Sequence, residues 1–428
     1  MQNESTPQAP APVVVKLGGA ILADAEATAA VWAGVAAMAE PVVVVHGGGP
    51  QATALARRLG HEPTIVAGRR VTGDLDLAGG TLRVSDNRSL SGTVGVSADS
   101  VMIVSDDASL TLSQSGGLAV GGSTLTLNGG GAVRGSSLQL DNAASQLRLS
   151  GITVDNVSTS SDSLGILADN ASTVNNLSLG NLVPLSISGG QRLSGGITVN
   201  SGGTLKITDN GTLASEVTMQ GGTLDVDESL ALSGGLVQSG DATVNVGSGK
   251  TLTFPNDLSI GPHALTLQGA GLYAFVDNTS ALVLDEADSL LNMQGSGRIQ
   301  ALKVAAVSNV GKGLNHTGSM TIGRMALVAD MTLAVQNEVI VEDAVSVENI
   351  RFKLQGPGVL RSSLILDNST LEILDSLTLA GNLEHRRSST IQINSGAVLM
   401  ASGETPIAVN DQTLTLTGTG TLTNAQAV

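Results

Sequence analysis

From about residue 79 onward, apolar and polar positions alternate in short runs separated by Gly, Ser, Asn and Asp, and no helical periodicity survives. The recurring unit is a glycine or small residue, a threonine, then an apolar-x-apolar triplet. It appears as Gly80-Thr81-Leu82-Arg83-Val84, Gly203-Thr204-Leu205-Lys206-Ile207, Gly222-Thr223-Leu224-Asp225-Val226 and Ala242-Thr243-Val244-Asn245-Val246. Successive side chains of a strand point to opposite faces, so Leu205, Ile207, Leu224, Val226, Val244 and Val246 share one side while Lys206, Asp225 and Asn245 face water. Leu205 to Leu224 is a step of 19 residues and Leu224 to Val244 a step of 20, which suits one coil of a parallel β-helix. A single coil buries nothing; stacked coils build a continuous apolar column and hydrogen-bond strand to strand. Roughly 350 residues at about 20 per coil predict roughly 17 coils, and about 4.8 Å per strand spacing gives a rod on the order of 80 Å. Two-residue Asn-Gly or Asp-Gly hairpin turns are rare, which disfavours a sandwich. The pairs Asp86-Asn87, Asp141-Asn142, Asp155-Asn156, Asp209-Asn210, Asp277-Asn278 and Asp367-Asn368 read as corner residues, because both types tolerate left-handed backbone and bond their own turns.

The first part has a different texture. Residues 1–12 form a polar, proline-containing leader with the composition of a disordered segment. Residues 13–78 predict a small, truncated α/β segment. Val13-Val14-Val15 is a buried-strand pattern entering Lys16-Leu17-Gly18-Gly19; residues 24–39 are Ala-rich and helical; residues 41–45 are a second apolar run ending in His46-Gly47-Gly48-Gly49-Pro50; residues 51–59 read as another helix. Strand, glycine loop, helix, repeated, predicts a parallel sheet that holds anionic groups where the helices begin. The expected organisation is therefore 1–12 leader, 13–78 α/β segment and 79–428 parallel β-solenoid. The fold class is mainly β.

Composition narrows this further. The five aromatic residues are Trp32, Tyr273, Phe254, Phe275 and Phe352, so the coil core must be filled by Leu, Val, Ile and Ala. The 54 glycines follow no third-residue period, which removes collagen. A formal charge of -16 predicts no nucleic-acid partner, since phosphates would be repelled. No cysteine is present, and no stretch is long and apolar enough to span a bilayer. The first residues lack the basic region, apolar run and cleavage site of a signal peptide.

Three blocks in order carry chemistry: Val13-Val14-Val15-Lys16-Leu17-Gly18-Gly19, Val43-Val44-Val45-His46-Gly47-Gly48-Gly49-Pro50-Gln51 and Gly68-Arg69-Arg70-Val71-Thr72. Together they resemble the amino-acid kinase family, its acetylglutamate kinases most closely, over about 65 residues. The physics is compatible: a lysine at a strand end beside two glycines can reach a transferring phosphoryl group, and glycines let backbone N–H groups approach its oxygens. The resemblance implies that Lys16 stabilises transition-state charge, that Gly48 and Gly49 contact the acyl amino acid, and that Arg70 clamps its α-carboxylate. It also implies ATP and Mg as cofactors; otherwise none is expected. In the family the second phosphate-stabilising lysine and the nucleotide lobe lie downstream of the Arg-Val-Thr block, where the repeats begin here. Phosphoryl transfer needs both reactants positioned at once, so the segment is expected to be inactive.

The repeats offer weaker candidates. His263, His316 and His385 are far apart and read as single solvated residues, so no metal is expected. Asp285, Glu286, Glu338, Glu342 and Asp343 read as a solvated face, and Tyr273 with Phe275 as core filler. The Thr-x-Thr pairs at Thr251, Thr413 and Thr419 read as ordinary outer surface, since other coils place Arg83, Arg148, Lys206 and Glu372 there. The repeat region resembles the passenger and stalk regions of bacterial autotransporter-type adhesins, which implies a structural or adhesive surface protein. Its expected partners are an unknown surface ligand or further copies, through the solenoid ends. Two alternatives remain: acetylglutamate kinase activity in arginine biosynthesis, and a polysaccharide-active β-helix. Localisation divides the same way, with the repeats implying the cell surface and the kinase-like start, without an export signal, implying cytoplasm. The run to Thr421-Leu422-Thr423-Asn424 shows no polar cap, which suggests an internal segment of a longer, chimeric chain.

Overall fold

A computed structural model describes residues 13–17, 25–38, 42–46, 64–66, 69–71, 75–113, 117–188, 191–307, 312–401 and 412–424. Two compact units result, residues 1–75 and residues 76–428. Strand makes up 60% of the chain and helix 3%, and the strands wind into a parallel β-solenoid of about 16 turns, so the mainly-β reading holds.

Each coil has three faces. On the first, Leu205, Leu224, Val244, Leu267, Met293, His316 and Val335 follow one another in parallel register, one per coil. On the second, Leu230, Leu252, Tyr273, Ile299 and Ile322 do the same. The third carries columns such as Leu282, Leu302 and Met325. These side chains are buried, and they form one narrow core running the length of the coils. Threonine and valine suit this surface because branching at Cβ costs little in an extended strand and packs against the next coil. Coil length is less uniform than the repeats suggest: the step is 19 residues from Leu147 to Ile166 and 26 from Leu265 to Leu291, the difference being taken up between strands.

The corners show how the coils are held in register. Asp155-Asn156 lies where the strand Thr153–Thr159 passes from the second face to the third. Asn176 donates to Asn156 at 3.0 Å and Asn175 donates to Asp155 at 3.0 Å, so one coil's corner is stitched to the next. Asp277 accepts from the backbone of Thr279 and Ser280 and from the Thr279 hydroxyl at 2.7–2.8 Å. Those donors hold its carboxyl at about 2, below the ordinary 3.8, with the Thr279 hydroxyl first among the causes. Among the six Asp-Asn pairs only Asn368 adopts left-handed backbone (φ 49°); the others act through side-chain bonds.

The smaller unit contains β1 (Val13–Leu17), α1 (Ala25–Ala36), β2 (Val42–His46), β3 (Thr64–Val66) and β4 (Arg69–Val71). β1 and β2 pair in parallel, as strands joined by a helical crossover must. β3 and β4 pair antiparallel in a separate sheet. The helix expected over residues 51–59 lies outside the described residues, as does the leader 1–12.

Candidate functional site

The kinase-like residues are set by the β1–β2 register. Lys16 pairs with Val45 and Leu17 with His46, so the two strands end together. In parallel sheets the carboxyl ends of strands, with the loops that follow them, are where ligands are held. Lys16 lies at that edge, and the Gly47-Gly48-Gly49 segment continues from it directly after His46. Gly48 and Gly49 lie outside the described residues. Arg70 is the central residue of β4 and pairs with Ile65. The fold therefore places Lys16 and Arg70 on two sheets that share no ladder. The antiparallel β3–β4 pair adds a hairpin to the strand–helix order read from sequence; its local signal is Thr64-Ile65-Val66, a strand run followed by Ala67-Gly68 with a turn residue. On α1, Trp32 is 47% exposed, and on the following turn Met38 is 44% exposed, so the described part of this unit leaves apolar surface uncovered.

Comparison with known proteins bears on this edge. The profile of the amino acid kinase family matches residues 11–147, about a third of the chain. An acetylglutamate kinase of Symbiobacterium thermophilum is 51% identical over 63 residues, which is 14% of this chain and 22% of that protein. The acetylglutamate kinase of Anaeromyxobacter dehalogenans strain 2CP-C is 64% identical over 36 residues, 8% of this chain and 13% of its own length. The N-terminal part is kinase-like. The chain spans less than a quarter of the length of these curated relatives. No solved structure matches. The profile match also runs past the point where coil strands begin, at Leu75–Val84, so its later residues are folded as solenoid.

The solenoid surface carries ion pairs more than a site. Lys206 bonds both Asp225 (3.2 Å) and Asp227 (2.8 Å) of the next coil, and its ammonium is held above the ordinary 10.5, Asp227 contributing most. Arg298 forks onto Glu342 at 2.7 and 2.6 Å across an intervening coil, which keeps the Glu342 carboxyl below its usual range. Arg361 pairs with Glu338, and Arg387 with Asp367 and, at 2.9 Å, with Glu348. The acidic face expected around residues 338–343 is thus largely neutralised. Such exposed pairs are each worth about 0–1 kcal/mol, so they align coils more than they stabilise them. Among the described residues no three His, Asp or Glu side chains gather as a metal site, and no helix is long and apolar enough to cross a membrane.

Two readings of single residues come out differently from each other. Tyr273 and Phe275 are buried core filler as expected: Tyr273 donates to the carbonyls of Val244 (2.9 Å) and Gln268 (2.5 Å), and Phe275 packs on Phe254 at 5.5 Å between ring centroids. Burial pushes the Tyr273 phenol above its ordinary 10. His316 and His385, by contrast, are not solvated; both are buried in the coil core. The signal was present, since Leu314-Asn315-His316 and Leu383-Glu384-His385 are apolar-x-apolar triplets with histidine at the second inward position.

Proposed function

We propose that this chain acts as a structural or adhesive β-solenoid whose kinase-like N-terminal segment carries no phosphoryl transfer. The observation that carries this reading is where the chain goes after the Arg-Val-Thr block: from Leu75 it enters coil strands, within the stretch that the family profile still matches. A nucleotide lobe would have to be built from that stretch. In the described structure it is built into strands that pair coil to coil. On this reading Lys16, Gly48, Gly49 and Arg70 are a remnant of half a site, and ATP and Mg are not needed. Exposed polar columns on a stiff rod suit contact with an extended surface or with other copies of the chain, and the fold analogy to adhesin stalks supports that class without naming a ligand.

The second reading is acetylglutamate kinase activity, favoured by 51% identity over 63 residues to an acetylglutamate kinase. A coupled ADP-release assay with ATP, Mg and N-acetylglutamate separates the two. The expected result is release at the no-enzyme background, unchanged by Lys16→Ala. Turnover that Lys16→Ala abolishes would establish the kinase reading instead.

A further inference from the structure

His316 occupies a position that every neighbouring coil gives to an apolar side chain. Met293 precedes it in register, Val335 follows it, and it is fully buried (0% exposed). Its Nε2 lies 3.0 Å from the Met320 carbonyl, an acceptor, so Nε2 carries the proton and donates. Nδ1 is then a bare acceptor, and no group bonds to it. Adding a proton there would bury a charge with an N–H that has nowhere to point. No titratable residue lies in the flanking strands Leu290–Met293 and Met331–Val335. On the other strands of the coil and its neighbours, Arg298, Lys303, Arg324 and Glu338 sit half-buried at the outer surface, where Arg298 is paired with Glu342, Arg324 bonds the Ser280 carbonyl and Glu338 is paired with Arg361. None reaches the core to offset a charge on the ring.

The third face also lacks a ladder between this coil and the next. Val345–Glu348, Leu364–Asp367 and Leu383–Arg387 form a separate three-stranded sheet, not hydrogen-bonded to the preceding strand Thr321–Leu327. The last backbone bonds before the gap are Glu342 to Ile322 (2.9 Å) and Asp343 to Gly323 (3.0 Å). Two of three faces hold the coils together here, as they also do between Leu236–Gln238 and Leu258–Ser259, where no histidine lies in the core.

We propose that the coil of residues 313–327 is an acid-sensitive opening point, at which protonation of His316 separates the coils before it from those after it. The sign follows from burial. Desolvation lowers the ring's proton affinity in the folded state, the Met320 carbonyl only partly opposing it. The ring is neutral when folded and charged when opened, so stability is fully present above the ordinary histidine value and is lost as pH falls below it. Linked to one proton, the local opening equilibrium rises by up to about tenfold per pH unit.

Hydrogen exchange of the full chain between pH 7.5 and 5, corrected for the intrinsic rate, tests this. Peptides covering residues 313–335 are expected to gain exchange toward acid with that slope, while residues 204–254 do not, and His316→Met, which continues the Met293 column, is expected to abolish the gain. His385 sits on the separate three-stranded sheet and reports in its own peptides. The proposal is overturned if residues 313–335 show no acid dependence or if His316→Met shows the same dependence. Should that variant fail to fold, the His316 ring resonances of the unmodified protein decide: a ring that stays neutral until exchange accelerates supports it, and one that titrates near its ordinary value with exchange unchanged contradicts it.

Discussion

Gly195→Ala is expected to destabilise the solenoid by about 4 kcal/mol, combining left-handed backbone strain with overlap against fixed backbone. Gly195 has φ 116°, at the corner where the strand Arg192–Asn200 turns from the second face to the third. A Cβ there would run into the carbonyl oxygen of Val174 on the preceding coil, an atom that cannot swing away. Gly249 provides the control. It also has positive φ (71°) but open space around it, so Gly249→Ala carries only the conformational cost, about 1 kcal/mol. Chemical denaturation read by backbone circular dichroism measures both. Equal, small losses for the two variants would mean that the coils do not approach as closely as described.

Tyr273→Ala is expected to cost roughly 3–5 kcal/mol, the range for emptying a large aromatic from a packed core. The coil core is narrow and lined by aliphatic side chains that cannot collapse across the gap without breaking ladder bonds on three faces. Tyr273→Phe keeps the ring and removes the hydroxyl that donates to the Val244 and Gln268 carbonyls, which is worth about 1–2 kcal/mol. If Phe were as damaging as Ala, the hydroxyl and not the packing would be the main contribution of this residue.

Much of the solenoid is legible from sequence because its rule is local. An inward residue at every second position and a nearly constant step between Leu205, Leu224 and Val244 are enough to specify parallel strands in register, and the structure pairs those three residues directly. What escapes is whatever depends on which coils become neighbours. Arg298 finds Glu342 at 44 residues' separation and Arg387 finds Glu348 at 39, both across an intervening coil, and no local pattern announces either pair. The depth of His316 is hard to read for another reason: histidine is common at surfaces, whereas its triplet position points inward. On the kinase-like side, the strands around Lys16 were readable from runs of valine. The antiparallel pairing of Arg70 was not, because three-residue strands carry too little periodicity to reveal their partner.

The absence of native cysteine makes one measurement especially clean. Thr204, Thr223, Thr243, Thr266, Asn292, Asn315 and Ala334 occupy one register column over six coil steps. Spin labels on cysteines introduced at Thr204 and Ala334 should therefore sit about 29 Å apart, six strand spacings of about 4.8 Å, in a narrow distribution read by pulsed dipolar spectroscopy. A label at Asn292 in place of Ala334 should shorten this to about 19 Å. A broad distribution, or distances that do not shorten in proportion to the number of coils between the labels, would contradict the stacked-coil rod.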